Sequence, residues 1–351
     1  MFLQVRRILP LAALACALSL SGTAQAAANS SYSLTDTLPL PGLTRWDYLA
    51  FDTQNHRLFI TRGESVDVLD VASQKITGSI PDTKGVHGVA LAPDLGKGFT
   101  SNGTANTATI FDLKTLETLA TVPTGTKPDA IVYDAKTQRV FTANGASNDV
   151  TVINALDGKP LATIPLDGKP EFAVVDGKGR LYINIEDKSQ LAVIDAQNAK
   201  LITYYNLAPH CDSPSGLAID IAHNRLFSVC ENKVMVITQA ETGKSIDTLP
   251  IGARSDAAAF DAGTGLAFSS NGEGTLTVIG ASTPNHYKVL QTVPTLPTAR
   301  TMALDPATHS IYLAAAETEG GDASTAASPH SRPQLKPDSF KILTVEPKTG
   351  E

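Results

Sequence analysis

Sulfur and large aromatics are scarce in this chain, and several short signatures that would assign a chemistry are missing. Three cysteines and one tryptophan occur in 351 residues, and Phe, Trp and Tyr together make up 6%. No Cys-x-x-Cys or His-x-x-x-His pair occurs, which excludes the common zinc signatures. Cys-x-x-Cys-His is absent as well, which sets aside an attached haem and ranks an electron-transfer role low. The Gly-x-Ser-x-Gly nucleophile elbow is missing. Positive charge is in deficit: 28 Lys and Arg stand against 35 Asp and Glu, a formal net charge of −7. Nucleic acid, which wants a basic face and stacking aromatics, is therefore a disfavoured partner.

Long apolar runs are confined to the first residues. Arg6-Arg7, an apolar run from Ile8 to Leu20 and Ala24-Gln25-Ala26 read as a signal peptide over residues 1–26. The run is too short for a comfortable membrane span. The expectation is an exported, periplasmic protein with no transmembrane segment after cleavage. Cys16 raises a lipid-anchored alternative, but Ala13 stands three residues before it, where a lipoprotein signal usually carries Leu, so plain export is preferred.

What the chain does have is a repeat. Residues 127–168 read as four short strands: Asp129 to Asp134, Phe141 to Asn144, Val150 to Ile153 and Leu161 to Pro165. β-Branched and aromatic residues fill each run, and Asp, Gly, Asn and Pro separate them. The aromatic opening the second strand recurs at Phe59, Phe99, Phe141, Tyr182, Phe227, Phe268 and Tyr312, in steps of 40, 42, 41, 45, 41 and 44 residues. A period of about 40–45 residues is the mark of propeller blades. The seventh unit lacks a fourth strand, and Ser33 to Pro39 matches the missing copy, Leu161 to Pro165. The predicted fold is all-β: a seven-bladed β-propeller of four-stranded antiparallel blades over residues 32–350, one domain, its ring closed by the N-terminal strand. A monomer is expected.

Cys211 and Cys230 both fall in the fifth unit, one before its first strand and one ending its second. An antiparallel hairpin brings both to one end, and a disulfide is the favoured reading in an oxidising compartment, with a metal-holding thiolate pair as the alternative.

With Phe141-Thr-Ala-Asn-Gly-Ala-Ser-Asn-Asp-Val-Thr-Val-Ile-Asn154 and lead-ins such as Gly125-Thr-Lys-Pro128, the chain resembles the YVTN-repeat, YncE-like propellers of bacterial envelopes, over nearly all of residues 32–350. The resemblance is specific for architecture and weak for function, because such folds host unrelated activities. It implies that each first strand is innermost, with its start at one mouth of the channel. Counting twelve residues back from each marker aromatic, with the shorter turn of the fourth unit allowed for, puts Asp47, His87, Asp129, Glu171, Ser215, Asp256 and Arg300 at that mouth, flanked by Trp46 and Tyr48. This is the densest chemical constellation in the chain. The plain alternative is a polar, water-filled mouth whose acids pair with Arg300.

The remaining histidines carry less. His56, His223 and His309 sit in repeated turns at the opposite end, His286 lies in a third-to-fourth connection, and His210 precedes Cys211. Gly263-Thr-Gly265 and Asn271-Gly-Glu-Gly274 join strands and open no helix, so they read as turns needing positive φ and not as phosphate cradles. An insertion over 317–338 in the last blade, rich in Gly, Ser, Ala and Pro, is expected to be mobile beside the mouth, as a tolerated loop or a lid.

Two functional classes follow. The first is a non-catalytic periplasmic binding or interaction propeller that takes a small polar ligand, a metal ion or a protein or peptide segment at the mouth. The second is a metal-dependent lactonase-type hydrolase, by similarity to six-bladed gluconolactonase-like propellers. There Asp47, Asp129, Glu171 and Asp256 would hold a divalent cation such as calcium, His87 would serve as base or water-orienting group, and Arg300 would stabilise an oxyanion. Seven blades and the lack of a clear Asn ligand count against it.

Overall fold

The computed structural model describes residues 31–42, 45–319 and 334–348; the signal-peptide reading and most of the expected insertion fall outside these. Seven four-stranded antiparallel sheets form the ring of blades. Blade 1 is built from 49–52, 57–61, 66–70 and 75–80, and blades 2 to 6 repeat the pattern, starting at Val86, Pro128, Pro170, Pro214 and Ser255. Blade 7 takes 301–305, 310–315 and 341–347 and is completed by Tyr32–Pro39, which pairs antiparallel with its third strand from Tyr32 opposite Pro347 to Pro39 opposite Lys341. Blade 6 grips that closing strand: Tyr32 N donates to Gln291 Oε1 at 2.7 Å, and Gln291 Nε2 donates to Tyr32 O at 2.8 Å. Among the described residues, no helix is long and apolar enough to cross a membrane.

The marker aromatics are the wedges between blades. Phe59, Phe99, Phe141, Tyr182, Phe227, Phe268 and Tyr312 are all buried, each in an apolar cluster or an aromatic contact between neighbouring sheets. Burying one such side chain contributes about 1.5–3 kcal/mol, so the repeat carries a large share of the stability. At the end opposite the mouth, basic side chains clip blades 1, 2, 3 and 5 each to the next. Arg57 donates to Leu113 O at 2.8 Å, Lys97 to Ala155 O at 3.2 Å, Arg139 to Ala196 O at 2.7 Å and Arg225 to Asn285 Oδ1 at 2.7 Å.

Some sequence expectations shift in detail. The outer hairpin of blade 6 is longer than its neighbours, Thr275–Thr283 and His286–Pro294, so His286 opens a strand and pairs with Asp247 at 3.1 Å. His56 and His309 occupy equivalent left-handed positions, but in blade 5 that place is held by Asn224, and His223 sits one residue earlier. Gly265 and Gly274 have the positive φ expected of turns. The base of the insertion is paired: Thr318 bridges Leu335, Glu319 N donates to Gln334 O, and Lys336 and Lys341 both reach the Glu317 carboxylate.

Candidate functional site

A repeated backbone irregularity builds the mouth. In blades 2 to 6 the first strand slips register at Val86/Gly88, Pro128/Ile131, Pro170/Ala173, Pro214/Leu217 and Ser255/Ala257. The residues skipped by the ladder include His87, Asp129, Glu171, Ser215 and Asp256. A β-bulge re-aims the extra side chain, and here it turns one polar residue per blade away from the sheet. Asp47 and Arg300 precede the first strands of blades 1 and 7 and are held by their backbones: Asp47 N donates to Thr61 Oγ1 at 2.8 Å, Thr301 Oγ1 donates to Asp47 O at 2.9 Å, and Ala257 N donates to Arg300 O at 3.1 Å.

Five consecutive blades are joined at the mouth by ion pairs. His87 Nδ1 lies 2.5 Å from Asp47 Oδ2 and 3.5 Å from Asp129 Oδ1. Arg300 lies 3.6 Å from Asp47 and 3.2 Å from Asp256. Glu171 stands apart in blade 4, 3.1 Å from Lys169, which also pairs with Glu186. Ser215 is engaged elsewhere, its Oγ donating to Ser255 O at 3.1 Å and its carbonyl accepting from Asn184. Asp47, His87 and Asp129 each offer a ligand atom within 4.8 Å of the others. Of the four acids expected to hold a cation, Asp47 and Asp129 fall in that group, and His87 takes the third place where Glu171 and Asp256 were expected.

One residue farther in, the channel has an aromatic floor. The corresponding positions are Tyr48, Gly88, Ala130, Phe172, Gly216, Ala257 and Thr301. Most are small because they abut the next blade: a Cβ on Gly216 would meet Asp256 O at 2.5 Å. Tyr48 from blade 1 and Phe172 from blade 4 meet across the channel, ring centroids 4.7 Å apart. The Tyr48 hydroxyl reaches Asp256 Oδ1 at 3.5 Å. Phe172 was missed from the sequence; its signal was a large residue in a column of small ones. Trp46, in contrast, leaves the cup and packs on Phe340, centroids 5.3 Å apart, in the wedge between blades 7 and 1 with Leu40 and Leu49.

Burial and crowding of like charge set the protonation of the cup. Burial, with the fields of Asp47 and Asp256 and against the opposing field of His87, pushes Asp129 up to about 6. Burial and the field of Asp129 push Glu171 well above the carboxylate range, with Lys169 pulling the other way. Burial opposes charge on His87, but the Asp47 hydrogen bond and the field of Asp129 outweigh it and raise its pKa. Burial likewise opposes the Arg300 charge, and Asp256 and Asp47 overcome it. Burial first, then Asp256, raises Tyr48. The cup is thus a partly buried cluster of acids in which burial and mutual repulsion oppose ionisation, against the stabilising fields of His87, Lys169 and Arg300.

Cys211 and Cys230 form a disulfide, with Cα atoms 5.4 Å apart.

No family model matches the chain, and no curated protein matches it by sequence. Its shape is similar to solved structures. The WD40 repeats of RRP9 superpose with a TM-score of 0.74 at 10% identity, over 91% of this chain and all of that one. A chain of the mitotic checkpoint complex gives 0.70 at 13% identity, over 88% and 95%. Hydrazine synthase from Kuenenia stuttgartiensis gives 0.68 at 15% identity, over 78% and 94%. At these identities the likeness shows the propeller fold alone.

Proposed function

We propose that the protein is a binding propeller of the YVTN-repeat type, exported to the periplasm, whose acidic cup takes a divalent cation or the cationic part of a small polar ligand or peptide. The propeller fold is consistent with a binding or interaction scaffold, and a chain of the mitotic checkpoint complex shares it. The observation that carries the proposal is the convergence of Asp47, His87 and Asp129 within 4.8 Å in a basin floored by Tyr48 and Phe172. An imidazole among two carboxylates suits zinc or manganese better than calcium, which prefers an all-oxygen shell.

A hydrolase of lactonase type is the second reading, and Arg300 favours it. Its guanidinium stands 3.6 Å from Asp47, beside the same group of ligand atoms, where it can meet charge developing on a polarised oxygen.

Chelator-dialysed protein titrated with zinc, manganese, calcium and magnesium separates these readings. The expected result is a saturable rise in Tm with zinc or manganese, lost in Asp129→Asn and His87→Gln. At a hundredfold excess over Kd the stabilisation is about 2.7 kcal/mol. A metal-dependent turnover in a lactone panel, lost in Arg300→Gln with metal binding retained, moves the assignment to the hydrolase. No shift with any ion, and none with peptides bearing a free amino group, removes the cup as a cation site.

A further inference from the structure

We propose that a groove on the mouth face, between blades 2 and 3 and beside the cup, is a binding site for a small organic carboxylate. The groove has a volume of about 560 Å³ and is lined by Arg45, His87, Gly103, Thr104, Thr126 and Lys127, among others, with no carboxylate in its lining. That volume is in the range of small-molecule sites. The inference goes beyond the cup and does not rest on what the cup binds.

Three features make the groove a selective place for an anion. Arg45 and Lys127 are exposed, and neither forms an ion pair among the described residues, although acids crowd the cup next to them. The frame beneath them is fixed. Lys127 is in the left-handed region with φ of 55°, its N–H donates to Asn106 Oδ1 at 2.8 Å, and its carbonyl accepts from Gly145 N at 2.9 Å. Thr126 N donates to Ser147 Oγ at 2.9 Å, and Gly103 N donates to Gly85 O at 2.8 Å.

The third feature is His87, which stands between the two sites. Its Nδ1 edge faces Asp47 and Asp129, while a Cβ on Gly103 would sit 2.7 Å from its Nε2. Gly103 is therefore the residue that leaves the Nε2 edge open toward the groove. An arginine fork matches a carboxylate bidentately, a lysine adds a point charge, and the Thr104 and Thr126 hydroxyls supply neutral donors. A dicarboxylate can engage Arg45 and Lys127 together, whereas an anion of higher charge is a poor fit, because the acidic cup on the other side of His87 and the overall charge of −7 repel it.

The test uses metal-stripped protein at constant ionic strength, with acetate, succinate and inorganic phosphate as probes, read by thermal shift and calorimetry. Succinate is expected to give a saturable Tm rise beyond that of matched sodium chloride, with an affinity roughly tenfold above acetate. Lys127→Ala and Arg45→Ala should each weaken it by roughly fivefold, and the double variant should abolish it. Both side chains are exposed, so the variants should fold as the parent does. Lys75→Ala, which removes an exposed lysine at the end away from the mouth, should keep the response. No response above the salt control, an undiminished response in the double variant, or a response to phosphate without succinate would each overturn the assignment.

Discussion

The two ends of the propeller carry aspartates at the same repeat period and use them in opposite ways. At the end away from the mouth, five first strands finish in Asp, at Asp52, Asp134, Asp220, Asp261 and Asp305, and in blade 4 Asp176 directly follows the strand. Each is satisfied within its own turn. Asp134 accepts from Lys136 N and Thr137 Oγ1, Asp305 from Ala307 N and Thr308 Oγ1, and Asp52 from Asn55 and Arg57. Burial alone would raise Asp52, but the Arg57 and Asn55 hydrogen bonds hold it below the usual carboxylate range. At the mouth, Asp129 and Glu171 are pushed the other way. The difference lies in how burial is offset: backbone N–H groups, hydroxyls and Arg57 outweigh it at one end, whereas at the mouth burial dominates and neighbouring acids add to it against the opposing fields of His87 and Lys169. Periodicity alone does not separate a turn staple from a binding group; the partner does.

At the mouth the ion pairs of Asp47, Asp129 and Asp256 link blade to blade, and a second set of contacts fastens the loops. Asn102 Nδ2 donates to Thr107 and Thr109, Asn144 to Thr151, and Asn271 to Thr275 and Thr277, all at about 3 Å, and these bonds fasten the loops between second and third strands. Cys230 takes the place of this Asn in blade 5, and its bond to Cys211 does the same work covalently. The largest effect is therefore expected at that bond. Closing a loop with a sequence separation of 19 stabilises by about 3 kcal/mol on the chain-entropy account. Reduction, or the Cys211→Ala/Cys230→Ala pair, should lower Tm by several degrees. Equal Tm for oxidised and reduced protein would show that the mouth is held without it.

The second effect tests the opposite end. Asp261 is fully buried and accepts from Gly263 N at 2.9 Å, Thr264 Oγ1 at 2.8 Å and His309 Nδ1 at 2.7 Å, the last from the next blade. Asp261→Ala leaves these donors unpaired and should cost about 2 kcal/mol in chemical denaturation. Ligand responses at the mouth should be unchanged. A variant as stable as the parent would break the division of labour between the two ends.

The blades, their number and the closing strand were legible in the sequence because each follows from local patterning repeated seven times. The mouth residues were legible by register from Phe59 to Tyr312. Which of them meet was not. Ser215 and Asp256 look alike as polar bulge residues, yet one binds the backbone of the next blade and the other an arginine side chain of the next blade. Trp46 adjoins Asp47 in sequence and still turns into the blade wedge, because Phe340 and Leu40 offer it apolar surface there. Contacts between residues 40 to 250 apart are set by the closed ring, and no local pattern encodes them.

The smallest effect is the one that separates the two ends by sign. Substituting a turn aspartate destabilises, whereas Asp129→Asn should stabilise metal-free protein near neutral pH. Burial, together with Asp47 and Asp256, raises the Asp129 pKa from an ordinary value of 3.8 to about 6 in the folded state. A carboxyl raised in this way contributes stability that is fully present below its unfolded pKa and is lost as pH rises through the folded value. Above about pH 6 the folded protein therefore carries a buried charge that the unfolded chain solvates better. The value of about 6 already includes the attraction to His87, and an amide fits the site less well than a neutral carboxyl, so the net gain is on the order of 1 kcal/mol at pH 7.5. The gain should shrink through pH 5 and vanish below pH 4, where the native acid is neutral in both states. Denaturation curves of the two proteins across that range give the sign directly. An Asp129→Asn variant less stable than its parent at pH 7.5 would put the mouth acids in the same class as the turn acids, as structural groups satisfied by their partners.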